Sequence, residues 1–143
     1  MSKILILNGA NLNLLGRREP SIYGFETLVD LERKLTAQFP TTELDFRQTN
    51  SEEELIGFIH EAFENKHSVV LNPGAFTHYS YALRDACAAL TSSGSKLIEV
   101  HISNPHSREE FRHTSVISSV ATGVIAGFGL ESYSLAVSAL TSN

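Results

Sequence analysis

The chain has 143 residues, 42% hydrophobic and 19% charged, with a formal net charge of −5 and a sequence pI of about 5.6. That size and composition suit one domain with a real core, residues 1–143. The acidic balance, with no basic tail or Lys/Arg-rich run, speaks against a nucleic-acid partner, and no apolar run approaches membrane-spanning length. Met1-Ser2-Lys3 leads straight into an apolar run without the layout of a signal peptide. The one cysteine, Cys87, cannot form an internal disulfide. Together these features predict a cytoplasmic protein.

In chain order, strand and helix signals alternate. Ile4–Leu7 reads as a buried strand. It opens a long connection, NGANLNLLGRREPSIYG from Asn8 to Gly24, where a few residues normally suffice. Long ordered loops in compact domains collect function; this one carries Asn8, Asn11, Asn13, Arg17, Arg18 and Tyr23. A guanidinium favours the phenolate form of a nearby tyrosine, and a phenolate is a strong base for a weakly acidic C–H. Thr27–Phe39 sets Leu28, Leu31, Leu35 and Phe39 at helical spacing, and Pro40 stops that helix. Glu43–Arg47 is a weaker strand. Ser51 with Glu54 resembles a capping box opening a helix through Phe58, Ile59, Ala62 and Phe63. Ser68–Leu71 is a strand closed by Asn72-Pro73-Gly74. Tyr81–Leu90 is a helix that takes Cys87 as a small core residue. Leu97–Ile102 is the fourth strand, and Ser103–Ser119 is less regular, with a short helix around Arg108–Phe111. Val120–Ala126 is the fifth strand; Leu130–Leu140 is a last helix with Leu130, Tyr133, Val137 and Leu140 on one stripe. The alternation predicts an α/β fold, a parallel sheet with helices on both faces. Five strands at this length suit the flavodoxin-like doubly wound order 2-1-3-4-5.

Ligands of such sheets bind beyond the carboxyl ends of the strands. Three of those ends are rich in polar side chains: Asn8, Asn11, Arg18 and Tyr23 after strand one; Asn72, Gly74, Thr77 and His78 after strand three; Glu99, His101, Ser103, Asn104 and later Arg112 at strand four. In the predicted order these strands are neighbours, so their loops share one crevice. The ends of strands two and five, Gln48-Thr49-Asn50 and Gly127-Phe128-Gly129, offer little reactive chemistry. Glu99 and His101 are two apart on a strand and share a face. A carboxylate there fixes the imidazole tautomer and suits it to general-acid work; a structural ion pair has the same spacing. His78 either binds a substrate oxygen or caps the next helix. Arg112 either binds substrate or pairs with Glu109 or another acid.

NGANLNLLGRREPSIYG, LNPGAFTH, ALRDA and EVHISNPHSREEFRHTS, in that order and with the later ATGVIAGFG, resemble type II 3-dehydroquinate dehydratase over nearly the whole chain. The resemblance implies reversible dehydration of 3-dehydroquinate to 3-dehydroshikimate through an enolate, without metal or organic cofactor, in aromatic biosynthesis or quinate breakdown. It implies Tyr23 as the base at C2 and Arg18 as the residue keeping Tyr23 ionised. Asn11 would act through a water on the enolate oxygen, and His101 would be the acid for the C1 hydroxyl, oriented by Glu99. Asn72, His78, Ile102, Ser103 and Arg112 are implied as substrate clamps, and Asp85 as a residue reaching a neighbouring subunit's site. It further implies trimers assembled into dodecamers, and a mobile lid over Asn13–Tyr23.

The residues alone point the same way, since elimination through an enolate needs a base, an oxyanion stabiliser and an acid. Lys3, Lys34, Lys66 and Lys96 precede strands or lie on helices facing away from the crevice, which disfavours an imine route. A zinc hydrolase on His101, His106, Glu109 and His113 has suitable residue types but no matching motif. A nucleotide-binding or receiver module lacks GxxxxGK[ST], GxGxxG and acidic residues after strand one. An inactive homologue is disfavoured by the intact Tyr23, Arg18 and His101.

Overall fold

A computed structural model describes residues 3–142. Five parallel strands form one sheet in the order β2-β1-β3-β4-β5: β1 Ile4–Asn8, β2 Leu44–Gln48, β3 Ser68–Asn72, β4 Leu97–His101 and β5 Gly123–Ala126. The helices are α1 Pro20–Tyr23, α2 Leu28–Gln38, α3 Glu52–Asn65, α4 Tyr81–Ser92 and α5 Glu131–Thr141. The alternation of β1 side chains decides the layering. Leu5 and Leu7 pack with Val69, Leu71 and the buried faces of α3 and α4. Ile4 and Ile6 pack with Val70, Val100 and residues of α2 and α5, including Leu31, Leu35, Tyr133 and Val137. The central strands are apolar because both faces are covered. β2 is an edge strand of half-buried residues, which accounts for its weaker sequence signal.

The predicted order and element types hold, and the boundaries move for local reasons. The connection after β1 is not plain loop: it holds a 3₁₀ turn, Leu12–Leu14, and the single helical turn α1, which ends at Tyr23. Ser51 caps α3 by accepting the Glu54 N–H, but its own N–H donates to Thr49 Oγ1, so the reciprocal half of the box is absent. The complete box is at α2, where Thr27 and Asp30 satisfy one another's backbone N–H groups. β5 begins at Gly123 because Ser118–Val120 forms a 3₁₀ turn and the Val120 carbonyl is taken by Thr91 Oγ1. The Arg108–Phe111 region is two 3₁₀ turns, Pro105–Ser107 and Glu110–Arg112. Cys87 is fully buried, and burial pushes its thiol up to about 12, the inert behaviour of a core residue.

The register sets Asn8 of β1 level with Asn72 of β3 and Gln48 of β2, so their loops leave the sheet together. They pass very closely. A Cβ on Gly9 would lie 2.4 Å from the Pro73 carbonyl oxygen, and one on Gly74, at φ +63, would lie 2.9 Å from the Ala10 oxygen. Glycine is required at both positions.

Candidate active site

One cavity opens where the loops after β1, β3 and β4 converge. It is lined by Asn11, Arg18, Tyr23, Asn72, His78, His101, Ile102, Ser103 and Arg112, together with Arg108, Leu12, Leu15, Pro105 and small residues of the Ala10 and Gly74–Ala75 turns. Sequence reasoning anticipated the first nine. Glu99 lies directly beneath, 1% exposed. Asp85 stands apart on α4, its side chain 76% exposed and its carboxylate paired with Arg84. Arg18, Arg108 and Arg112 make this a cationic cavity in a chain of net charge −5, which suits an anionic ligand.

Two polar centres stand out. Tyr23 Oη accepts a hydrogen bond from Arg108 Nη1 at 2.6 Å, across 85 residues of sequence. The guanidinium carbons of Arg18 and Arg108 also lie 5.2 and 5.1 Å from the Tyr23 ring centroid. Arg18 itself donates to Glu19 Oε2 at 3.2 Å, so the cation on the phenol oxygen is Arg108, which sequence reading placed only in a short helix. Nothing local could reveal that contact. The available signal was one more arginine in the loop after strand four.

The second centre is His101, whose Nε2 lies 2.5 Å from Glu99 Oε2. With Nε2 committed to the carboxylate, Nδ1 is the ring nitrogen left for a ligand. Ser118 Oγ donates to Glu99 Oε1 at 2.7 Å, and Ser115 Oγ to Oε2 at 3.0 Å. Burial pushes the Glu99 carboxyl up; the His101 hydrogen bond and charge, with the two serine hydroxyls, outweigh it and hold the group below the ordinary carboxylate value.

The other predicted residues are held in defined states. The His78 ring bonds the Thr114 carbonyl through Nδ1 at 2.9 Å, while Ser80 caps α4; His78 is therefore not the helix cap. Burial lowers its pKa, partly opposed by the Thr114 carbonyl and reinforced by His101 and Arg112, so the ring is neutral with Nε2 an acceptor. Asn72 Oδ1 accepts the Gly74 N–H, and its Nδ2 donates to Tyr133 Oη at 2.9 Å, which fixes the amide's orientation and leaves one N–H over. Tyr133 Oη donates onward to Asn8 Oδ1 at 2.5 Å. Arg112 both lines the cavity and pairs with Glu109 at 2.9 Å. Ser103 Oγ accepts from Arg108 at 3.3 Å.

The end of β2 is more important than its chemistry suggests. Asn11 sits in the left-handed region at φ 70, with its N–H donating to Asn50 Oδ1 at 2.8 Å, and Gln48 Nε2 bonds Asn50 Oδ1 and the Gly9 carbonyl. Gln48 and Asn50 thus brace the backbone from which Asn11 enters the cavity. Lys3, Lys34, Lys66 and Lys96 do not line it. Of the hydrolase set, His101 is engaged by Glu99, Glu109 by Arg112 and His113 by the Arg108 carbonyl. Among the described residues no group of three or more His, Cys, Asp or Glu is placed to hold a metal ion.

The model of the family described as dehydroquinase class II matches residues 2–141. This chain belongs to the class II dehydroquinases. A dehydroquinase-family relative from Bacillus licheniformis, named 3-dehydroquinate dehydratase, is 59% identical over 140 residues, covering 96% of this chain and 94% of its own. The crystal structure of the type II dehydroquinase from Propionibacterium acnes superposes with a TM-score of 0.94 at 48% identity, covering 100% of this chain and 98% of that one. The type II dehydroquinase of Butyrivibrio crossotus also superposes at 0.94, with 46% identity and 99% and 98% coverage. The fold order 2-1-3-4-5 is thus the dehydroquinase fold.

Proposed function

We propose that this chain is a 3-dehydroquinate dehydratase, a hydro-lyase interconverting 3-dehydroquinate and 3-dehydroshikimate through an enolate. The observation that carries the reading is one cationic cavity, in a class II dehydroquinase chain, bounded by a tyrosine on a guanidinium and a histidine on a buried carboxylate. Tyr23 removes the proton from C2, beside the ketone. Before the transfer its phenolate oxygen carries the charge, next to the Arg108 and Arg18 guanidiniums that a phenolate base requires; with the proton taken up it is a neutral phenol and the charge has passed to the substrate. The electron pair passes into the carbonyl, and Asn11, through a water, stabilises the enolate oxygen. As the enolate collapses, the C1–O bond breaks and His101 gives its proton to the departing hydroxyl, which leaves as water. Glu99 holds the imidazolium in place. One proton and one hydroxide are lost, and no redox change occurs.

Arg112, Ser103, the Ile102 backbone, Asn72 and neutral His78 clamp the substrate's carboxylate and hydroxyls, a donor-rich set with one acceptor at His78 Nε2. No lysine reaches the cavity, which favours the enolate over an imine route. We assign the chain as one catalytic domain needing no metal or organic cofactor and acting in the cytoplasm. It assembles as trimers within a dodecamer, where exposed Asp85 reaches a neighbour's site. Large apolar side chains left exposed, Phe25, Val29, Tyr81 and Phe128, support burial against further copies.

An ultraviolet assay of purified protein with 3-dehydroquinate and excess chelator tests the reading. Rapid appearance of the conjugated enone is expected; no product from folded protein would overturn it, and loss of activity to the chelator alone would overturn the metal-free route.

A further inference from the structure

The segment Thr114–Ser118 makes more contacts with the acid side of the cavity than its irregular sequence suggests. The Thr114 carbonyl takes the His78 Nδ1–H, the Val116 N–H donates to the Thr77 carbonyl at 2.8 Å, and the Ile117 side chain is fully buried. The segment is therefore pinned at Thr114, Val116 and Ile117. Ser115, between these anchors, and Ser118, directly after the last of them, both bond Glu99.

The geometry leaves the two hydroxyls little choice. Ser115 Oγ accepts the N–H groups of Ile117 at 3.1 Å and Ser118 at 3.0 Å, which occupies its lone pairs. Its single hydrogen is left for the Glu99 carboxylate, at 3.0 Å from Oε2 and 3.3 Å from Oε1. Ser118 Oγ has Glu99 Oε1 as its side-chain partner at 2.7 Å. A carboxylate 1% exposed thus receives donors on both oxygens while one of them holds His101. Without the serines, Oε1 is a buried anionic oxygen with no partner, and such an oxygen attracts a proton.

We infer that Ser115 and Ser118 are positioning residues of the dehydration: their hydroxyls keep Glu99 an oriented anion so that His101 is presented to the leaving hydroxyl. This rests on the dehydratase reading above. The charged and titratable groups facing Glu99 are His101 on β4, His78 on the turn after β3 and Cys87 on α4. Cys87 stays an uncharged thiol, so the serine hydroxyls are the donors that offset the carboxylate's burial apart from His101 itself.

Ser118→Ala is the clean probe, because Ser115→Ala also removes the acceptor for two backbone N–H groups. Two readouts are taken on the full-length protein. One is the pH dependence of kcat with 3-dehydroquinate; the other is the Glu99 carboxyl titration, followed by ¹³C NMR. In Ser118→Ala both the acid limb of kcat and the Glu99 midpoint are expected to move upward by about one pH unit, the worth of one hydrogen bond to a charged group. KM should change much less than kcat, and Ser118→Thr, which keeps the hydroxyl, should restore both positions. An unmoved Glu99 midpoint, or a lower thermal midpoint with an unchanged pH profile, overturns the inference. A moved midpoint in a protein whose unsubstituted form does not turn over 3-dehydroquinate overturns instead the functional reading on which the catalytic role rests.

Discussion

Tyr23 has one oxygen, and the guanidinium that reaches it comes from the far side of the sequence. On the proposed mechanism, Tyr23→Phe removes the base and almost no packing, so kcat should fall by roughly 10²–10⁴ while the unfolding midpoint stays put. Near-normal turnover in that variant would end the base assignment. Arg108 and Arg18 can be separated in the same assay. Arg108→Lys keeps a charge but loses the planar guanidinium whose Nη1 donates to both Tyr23 Oη and Ser103 Oγ. It should therefore cost kcat at least as much as Arg18→Lys, whose guanidinium among the described residues meets the ring face and Glu19; the reverse order of severity would return the principal role to Arg18. Glu99 makes a separate statement about stability. Its folded-state pKa lies below its ordinary value of 4.5, so the unfolded chain binds this proton more tightly. Its contribution is fully present above that ordinary value and is lost as pH falls through the lower folded one. The urea-unfolding gap between the parent and Glu99→Gln should accordingly narrow in acid; a gap that widened there would contradict the hydrogen-bond arrangement.

The elements are joined to the site by buried polar links. Tyr133, fully buried on α5, joins Asn8 at the end of β1 to Asn72 at the end of β3 through one hydroxyl. Tyr133→Phe preserves the ring and strands two buried amide groups. It should destabilise the fold by about 1–3 kcal/mol in urea unfolding and raise KM through a loosened Asn72. A stable variant with unchanged KM would show that Asn72 is oriented by Gly74 alone. α3 and α4 are tied in a similar way, with Ser80 capping α4 while its hydroxyl bonds Glu52 in the first turn of α3.

On the scale of the whole molecule, the sheet gathers a cationic cavity at the carboxyl ends of its central strands in an acidic chain and leaves large apolar side chains uncovered elsewhere. Asp85 belongs to that outer surface. On the proposed dodecamer, native mass spectrometry should give twelve copies of the 15.7 kDa chain, and on the proposed role of Asp85, Asp85→Ala should lower activity without changing the monomer's fold. A fully active monomer would remove Asp85 from the mechanism.

The amino-acid sequence by itself determined the strand order, the converging loops and eight of the residues that line the cavity, because apolar periodicity and strand-end position are local properties of the chain; the ninth, Ile102, came from the family resemblance. It also kept Glu99 and His101 together, since residues two apart on a strand must share a face. Tertiary structure alone decided which guanidinium meets Tyr23, which hydroxyls hold Glu99, and that Tyr133 and Asn50 fix Asn72 and Asn11. Those partners are separated by between 16 and 85 residues, and serine, asparagine and arginine in a loop carry no period that marks them. Their pairing appears only once the sheet has brought the loops within hydrogen-bond reach, where a buried donor or acceptor must find a partner.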